Sequence, residues 1–155
     1  MAPRCDLEVH LREPELHFTG TAYHDSNAGN EPLDDGFTGW HWARAHDSTH
    51  TRVVYDAQLR RGASHCIAAR IDSQGQVYPF APGLPASLGR SWWGIRRQVR
   101  SSESGALVSG SLEDTPFYAR SQIETSWEGR RLSAIGEHLD LDRFRRGWEI
   151  GRAHV

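Results

Sequence analysis

The feature that most constrains this chain is a series of short runs in which apolar and polar residues alternate, each closed by Gly, Pro, Asn or Asp. Leu7, Val9 and Leu11 alternate with polar residues, and Leu16, Phe18 and Gly20 begin a similar run toward Tyr23. A turn-rich loop over residues 24–36 follows. Runs over 37–45 and 51–60 come next, the second with Val53, Tyr55, Ala57 and Leu59 on one face. Residues 65–71 and 77–80 read as a hairpin across the turn Asp72-Ser73-Gln74-Gly75. A Pro/Gly-rich loop over 81–90 leads into a run over 91–99. The turns Ser104-Gly105 and Glu128-Gly129 separate further runs at 106–112, 117–127 and 132–139. Only 141–146 reads as a helical turn. A period of two held through so many runs puts successive side chains on opposite faces of a sheet. The prediction is an all-β chain whose antiparallel strands close into a barrel or sandwich.

A chain of 155 residues supports one modest core. Its 18 basic and 20 acidic residues leave a net charge of -2, so the strongly basic face of a nucleic-acid binder is not expected. All the basic residues are arginine, a bias that fits a GC-rich bacterial genome. Cys5 and Cys66 are expected as reduced thiols in a bacterial cytoplasm. The first ten residues lack the apolar core of a signal peptide, and no run reaches transmembrane length. Any membrane contact is therefore expected to be peripheral, at the inner membrane. The last seven residues, 149–155, back-translate to a string common in sequencing adapters. The domain is accordingly read as 1–148, with 149–155 as an adapter artefact.

The chemistry-bearing residues concentrate early. Tyr23, His24 and Asp25 precede a tight turn, Trp40-His41-Trp42 follows it, and Tyr55-Asp56 lies one strand later. Aromatic walls beside a His/Asp pair suit acid–base chemistry on an apolar ligand. Each piece also has a structural reading: Asp25 as part of an Asx-type turn, Trp40 and Trp42 as core. His46 and His50 are separated by a loop rather than a helical turn, and no metal or other cofactor is expected. The spacing of seven between His10, His17 and His24 has no meaning in the period of a strand. Arg96, Arg97 and Arg100 read as a solvated edge, and Asp114 with Arg120 as a structural ion pair.

The blocks from Tyr23 to Leu33, from Trp40 to Ala45 and at Tyr55-Asp56 resemble the acyclic carotenoid 1,2-hydratases. So do the later blocks Leu112 to Ser121 and Glu137 to Phe144, in the same order. The resemblance covers most of residues 16–148. It implies two lipocalin-like β domains, of which this chain supplies the second, the N-terminal domain being a missing partner. It also implies cofactor-free addition of water to the terminal double bond of a lycopene- or neurosporene-like chain.

Such a reaction needs an acid to protonate the less substituted carbon, aromatic faces to stabilise the tertiary cation, and a base to deprotonate the captured water. Asp25 or Asp56 is the candidate acid, and His24 or His41 the base. Tyr23, Trp40, Trp42 and Tyr55 are the candidate substrate-binding walls. A regular strand sends Tyr55 and Asp56 to opposite faces, and likewise His41 and its two Trp neighbours. Asp25, in a loop, escapes that limit and ranks first. A pericyclase on the same double-domain scaffold and a non-catalytic carrier of apolar ligands are the alternatives.

Overall fold

The computed structural model describes residues 2–26 and 28–146. Asn27 and the chain from 147 onward, including the adapter-like segment, lie outside the described residues. The strands are β1 (Ala2–Arg12), β2 (Glu15–His24), β3 (Phe37–His46), β4 (His50–Leu59), β5 (His65–Asp72) and β6 (Val77–Pro79). They continue with β7 (Leu84–Arg90), β8 (Arg96–Ser101), β9 (Leu107–Asp114), β10 (Tyr118–Trp127) and β11 (Arg130–Asp140). Two short helices, α1 (Leu33–Gly36) and α2 (Leu141–Arg145), complete the described chain.

The strands form one seven-stranded antiparallel sheet in the order β6-β5-β4-β3-β11-β10-β9, with β1–β2 and β7–β8 as separate ribbons. The fold is all-β and antiparallel, as lipocalin-like domains are. Among the described residues the large sheet stays open, because β6 and β9 each pair with a single neighbour.

Local chemistry explains the turns. The Asp72 carboxylate accepts the backbone N–H groups of Gln74 and Gln76, both at 2.9 Å, and Gly75 takes a φ of 80°. This is the expected hairpin between β5 and β6. At the tip of β10–β11 both turn residues have positive φ, 55° at Glu128 and 71° at Gly129, as a two-residue hairpin of this hand requires. Glu128 is an uncommon residue for that conformation. Its carboxylate is held there by Arg52 at 2.7 Å and Arg70 at 2.9 Å.

Ribbon β7–β8 covers one face of the large sheet. Val99 packs there with Ala43, Ala45, Val54, Ile123, Trp127, Leu132 and Ala134, the described core. Trp127, fully buried, donates its indole N–H to the Arg100 carbonyl at 2.7 Å, and the Thr125 hydroxyl reaches the same oxygen at 2.9 Å. These two bonds satisfy polar groups that burial would otherwise leave costly. On the opposite, more open face Thr51, Val53, Ala57 and Ile71 are also buried, whereas the aromatic side chains Trp40, Trp42 and Tyr55 are only partly so.

Strand β7 lies where a Pro/Gly-rich loop was expected. Proline is poorly tolerated in a central strand, but a two-stranded ribbon is an edge on both sides, and Pro85 sits there opposite Arg100. Residues 91–95 form a turn instead of a strand, closed by Ser91 N–H to the Ile95 carbonyl at 2.9 Å and by Ser91 Oγ accepting Ile95 N–H at 3.1 Å. No helix among the described residues is long and apolar enough to cross a membrane.

Candidate active site

Register fixes which side chains share a face. Strand β3 pairs with β4 so that Trp40 opposes Ala57, His41 opposes Asp56 and Trp42 opposes Tyr55. On its other side Trp42 opposes Glu137 of β11, and Glu137 opposes Arg120 of β10. The two sides of the sheet therefore carry different chemistry.

The open face is aromatic and acidic. Tyr23, at the end of β2, lies against Trp42 with ring centroids 5.5 Å apart, and the Arg44 guanidinium sits 4.8 Å over the Tyr23 ring. Trp40 and Tyr55 continue the wall, 6.0 Å apart. The Tyr23 hydroxyl donates to Asp25 at 3.0 Å. Burial, then this bond and the carboxylate charge, push the Tyr23 phenol well above its usual value. Asp25, itself exposed, is thereby anchored at the rim of this face.

Glu137 joins this group. It is half-buried, and burial raises its carboxyl above the ordinary glutamate value, against the opposing pull of Arg120 and of a hydrogen bond from Tyr118. The negative charge of Asp25 raises it further. Arg120, 3.5 Å away, pairs with Glu137 rather than with Asp114, which instead accepts the backbone N–H of Trp93 at 3.2 Å. Sequence reasoning passed over Glu137. The available signal was an acid between Ile135 and Leu139 on one face of a strand.

His41 and Asp56 lie on the covered face, away from Tyr23, Trp40, Trp42, Tyr55 and Asp25. Asp56 is buried and held by two bonds from Arg100, at 2.9 and 3.1 Å. Arg100 is thus no free edge residue: its bond to Asp56 raises its pKa. His41 borders a cleft of about 800 Å³ with Thr38, Gln58, Arg97, Gln98 and Asp140. His24 is exposed at the end of β2.

The histidines of this side form a chain. The Gln58 amide donates to His41 Nε2 at 3.1 Å, which leaves His41 Nδ1 to donate to His138 Nδ1 at 3.0 Å. His138 is fully buried and its Nε2 has no hydrogen-bond partner among the described residues. Burial, then the nearby His41 and Arg97, push the His138 pKa down to about 3.

Below pH 6.5 an unfolded histidine takes a proton that folded His138 refuses, so stability falls as pH is lowered from 6.5 toward 3. Each pH unit costs about 1.4 kcal/mol, or about 2 kcal/mol between pH 6.5 and 5. Urea melts at the two pH values measure the loss. His138→Gln, which keeps a polar partner for His41 without titrating, is expected to remove most of this slope. An unchanged slope would place its origin elsewhere.

The described domain is thus an antiparallel β sheet with one aromatic face beside which two carboxyls, Asp25 and Glu137, come together. Residues 1–150 match the family described as "Carotenoid hydratase CrtC". The chain belongs to that carotenoid hydratase family. It is 41% identical over 147 residues to the acyclic carotenoid 1,2-hydratase of Thiocapsa roseopersicina, covering 93% of this chain and 36% of that protein. The enzyme of the same name from Rubrivivax gelatinosus is 39% identical over 147 residues, covering 92% and 36%. That from Rhodobacter capsulatus is 34% identical over 147 residues, covering 93% and 52%. The chain thus spans between about a third and a half of the length of these relatives. No solved structure gives a significant match.

Proposed function

We propose that this chain is the substrate-binding and proton-donating half of a hydro-lyase that adds water to the terminal 1,2 double bond of an acyclic carotenoid. The observation that carries the reading is the placement of Asp25 and Glu137 on one aromatic face with Tyr23, Trp40, Trp42 and Tyr55. The activity for which the relatives are named, acyclic carotenoid 1,2-hydration, agrees with it.

A polyene chain lies along the Trp and Tyr wall with its end at the Tyr23–Asp25 rim. Glu137 stores the proton, since burial and the neighbouring Asp25 charge favour its neutral form. Asp25, the exposed member of the pair, takes up that proton from Glu137, which is left as the carboxylate, and passes it to C2 of the alkene. The π electrons form the new C–H bond and leave a tertiary cation at C1. The indole faces stabilise that cation without bonding to it. Water attacks C1, and its surplus proton returns to the carboxyl pair, so the enzyme is regenerated and no redox partner is consumed. His24 stands close enough in sequence to share the base role. His41 and Asp56 act from the far face as structural supports of β3 and β4.

The test is to incubate a full-length relative carrying these blocks with lycopene, anaerobically and without added cofactor. The expected product is lycopene plus one molecule of water, as a tertiary alcohol. Recovery of unchanged lycopene from a bound complex would make the protein a carrier. An isomer of unchanged mass would point to pericyclic or cyclase chemistry.

A further inference from the structure

The β1–β2 ribbon gathers three metal-ligating side chains far from the candidate active site. His10 and His17 oppose each other directly across the ribbon, and Glu8 lies two residues before His10 on the same face. The two imidazoles stack with centroids 4.0 Å apart and planes within 10°. Both Nε2 atoms lie 3.0 Å from a single oxygen, Oε1 of Glu8. All three donor atoms fall within 4.8 Å of one another.

We propose that Glu8, His10 and His17 form a binding site for a divalent transition-metal ion that staples the β1–β2 ribbon. Tetrahedral coordination at metal–ligand distances of about 2.0–2.2 Å places neighbouring donor atoms roughly 3.3 Å apart. The two Nε2–Oε1 spacings are already close to that edge. One ion replaces two N–H protons that converge on one carboxylate oxygen, and it satisfies all three groups at once. Two imidazoles with one carboxylate select zinc, cobalt or nickel over the hard, all-oxygen cations magnesium and calcium. Three protein ligands leave one position for water.

The ribbon has reason to use such a staple. Among the described residues it pairs only with itself, and an isolated two-stranded ribbon is marginal in water. Leu7, Leu11, Leu16 and Phe18 on its other face are each 39 to 46% exposed, so little apolar burial holds it. An ion bound only by the closed ribbon stabilises it by mass action.

Titration of the full chain with Zn²⁺ by calorimetry, and with Co²⁺ by absorption, tests the site. One equivalent of Zn²⁺ is expected to bind in the micromolar range, with the d–d bands of tetrahedral Co²⁺. Zinc is also expected to slow limited proteolysis of residues 1–24 several-fold. Affinity should fall about tenfold or more in His10→Ala and again in His17→Ala. All three groups are exposed, so these variants are expected to fold, and the conservative Glu8→Gln provides a second check. Tight binding that survives the His10→Ala/His17→Ala double variant would assign the metal to other histidines and overturn the site. Absence of binding up to millimolar Zn²⁺ would overturn it equally. Site-specific binding without proteolytic protection would overturn the staple.

Discussion

Asp25→Asn, made at the matching position of a full-length relative, is expected to lower turnover by about 100- to 10,000-fold, the range for loss of a general acid. Folding should be spared. Asparagine keeps an oxygen to accept the Tyr23 hydroxyl, which lies 3.0 Å from the carboxylate. Thermal melts within a degree or two of the parent would establish that the loss is chemical. Substrate affinity should change little, because the wall formed by Trp40, Trp42 and Tyr55 does not depend on Asp25. Near-normal turnover in this variant would move the acid role to another group.

Glu137→Gln is expected to have the second-largest effect, a fall of about ten- to a hundredfold in kcat with KM little changed. Its decisive signature is in the pH profile. A carboxyl that must be protonated gives activity that falls as pH rises through its pKa, and burial places that pKa above the ordinary glutamate value. Glutamine cannot titrate, so the alkaline limb assigned to Glu137 should vanish. A purely structural Glu137, needed only to pair with Arg120, would lower activity or stability without moving that limb.

Much of the strand pattern was legible because it is local. The turn chemistry at Asp72–Gly75 and Glu128-Gly129 announces hairpins, and the alternation along β3 and β4 separates Trp40, Trp42 and Tyr55 from His41 and Asp56. Pairing across long distances was not legible. Nothing in the residues of β11 says that Glu137 will sit beside Trp42, because that register joins strands 95 residues apart. The same holds for Arg100, whose neighbours suggest a solvated edge until ribbon β7–β8 folds over the sheet and delivers it to Asp56. The spacing of His10 and His17 carries no strand periodicity. It acquires meaning only as two positions equidistant from the turn between β1 and β2.

The most direct measurement of the central claim is the fate of the solvent proton. A full-length relative is incubated with lycopene in deuterium oxide, anaerobically, and the product is analysed by mass spectrometry and NMR. If the carboxyl pair protonates the alkene before water attacks, one deuterium must be bound to C2, beside the new C1 alcohol. The reaction should also run slower than in ordinary water, since proton transfer creates the unstable cation. A C1 alcohol whose C2 carries no deuterium would contradict the account.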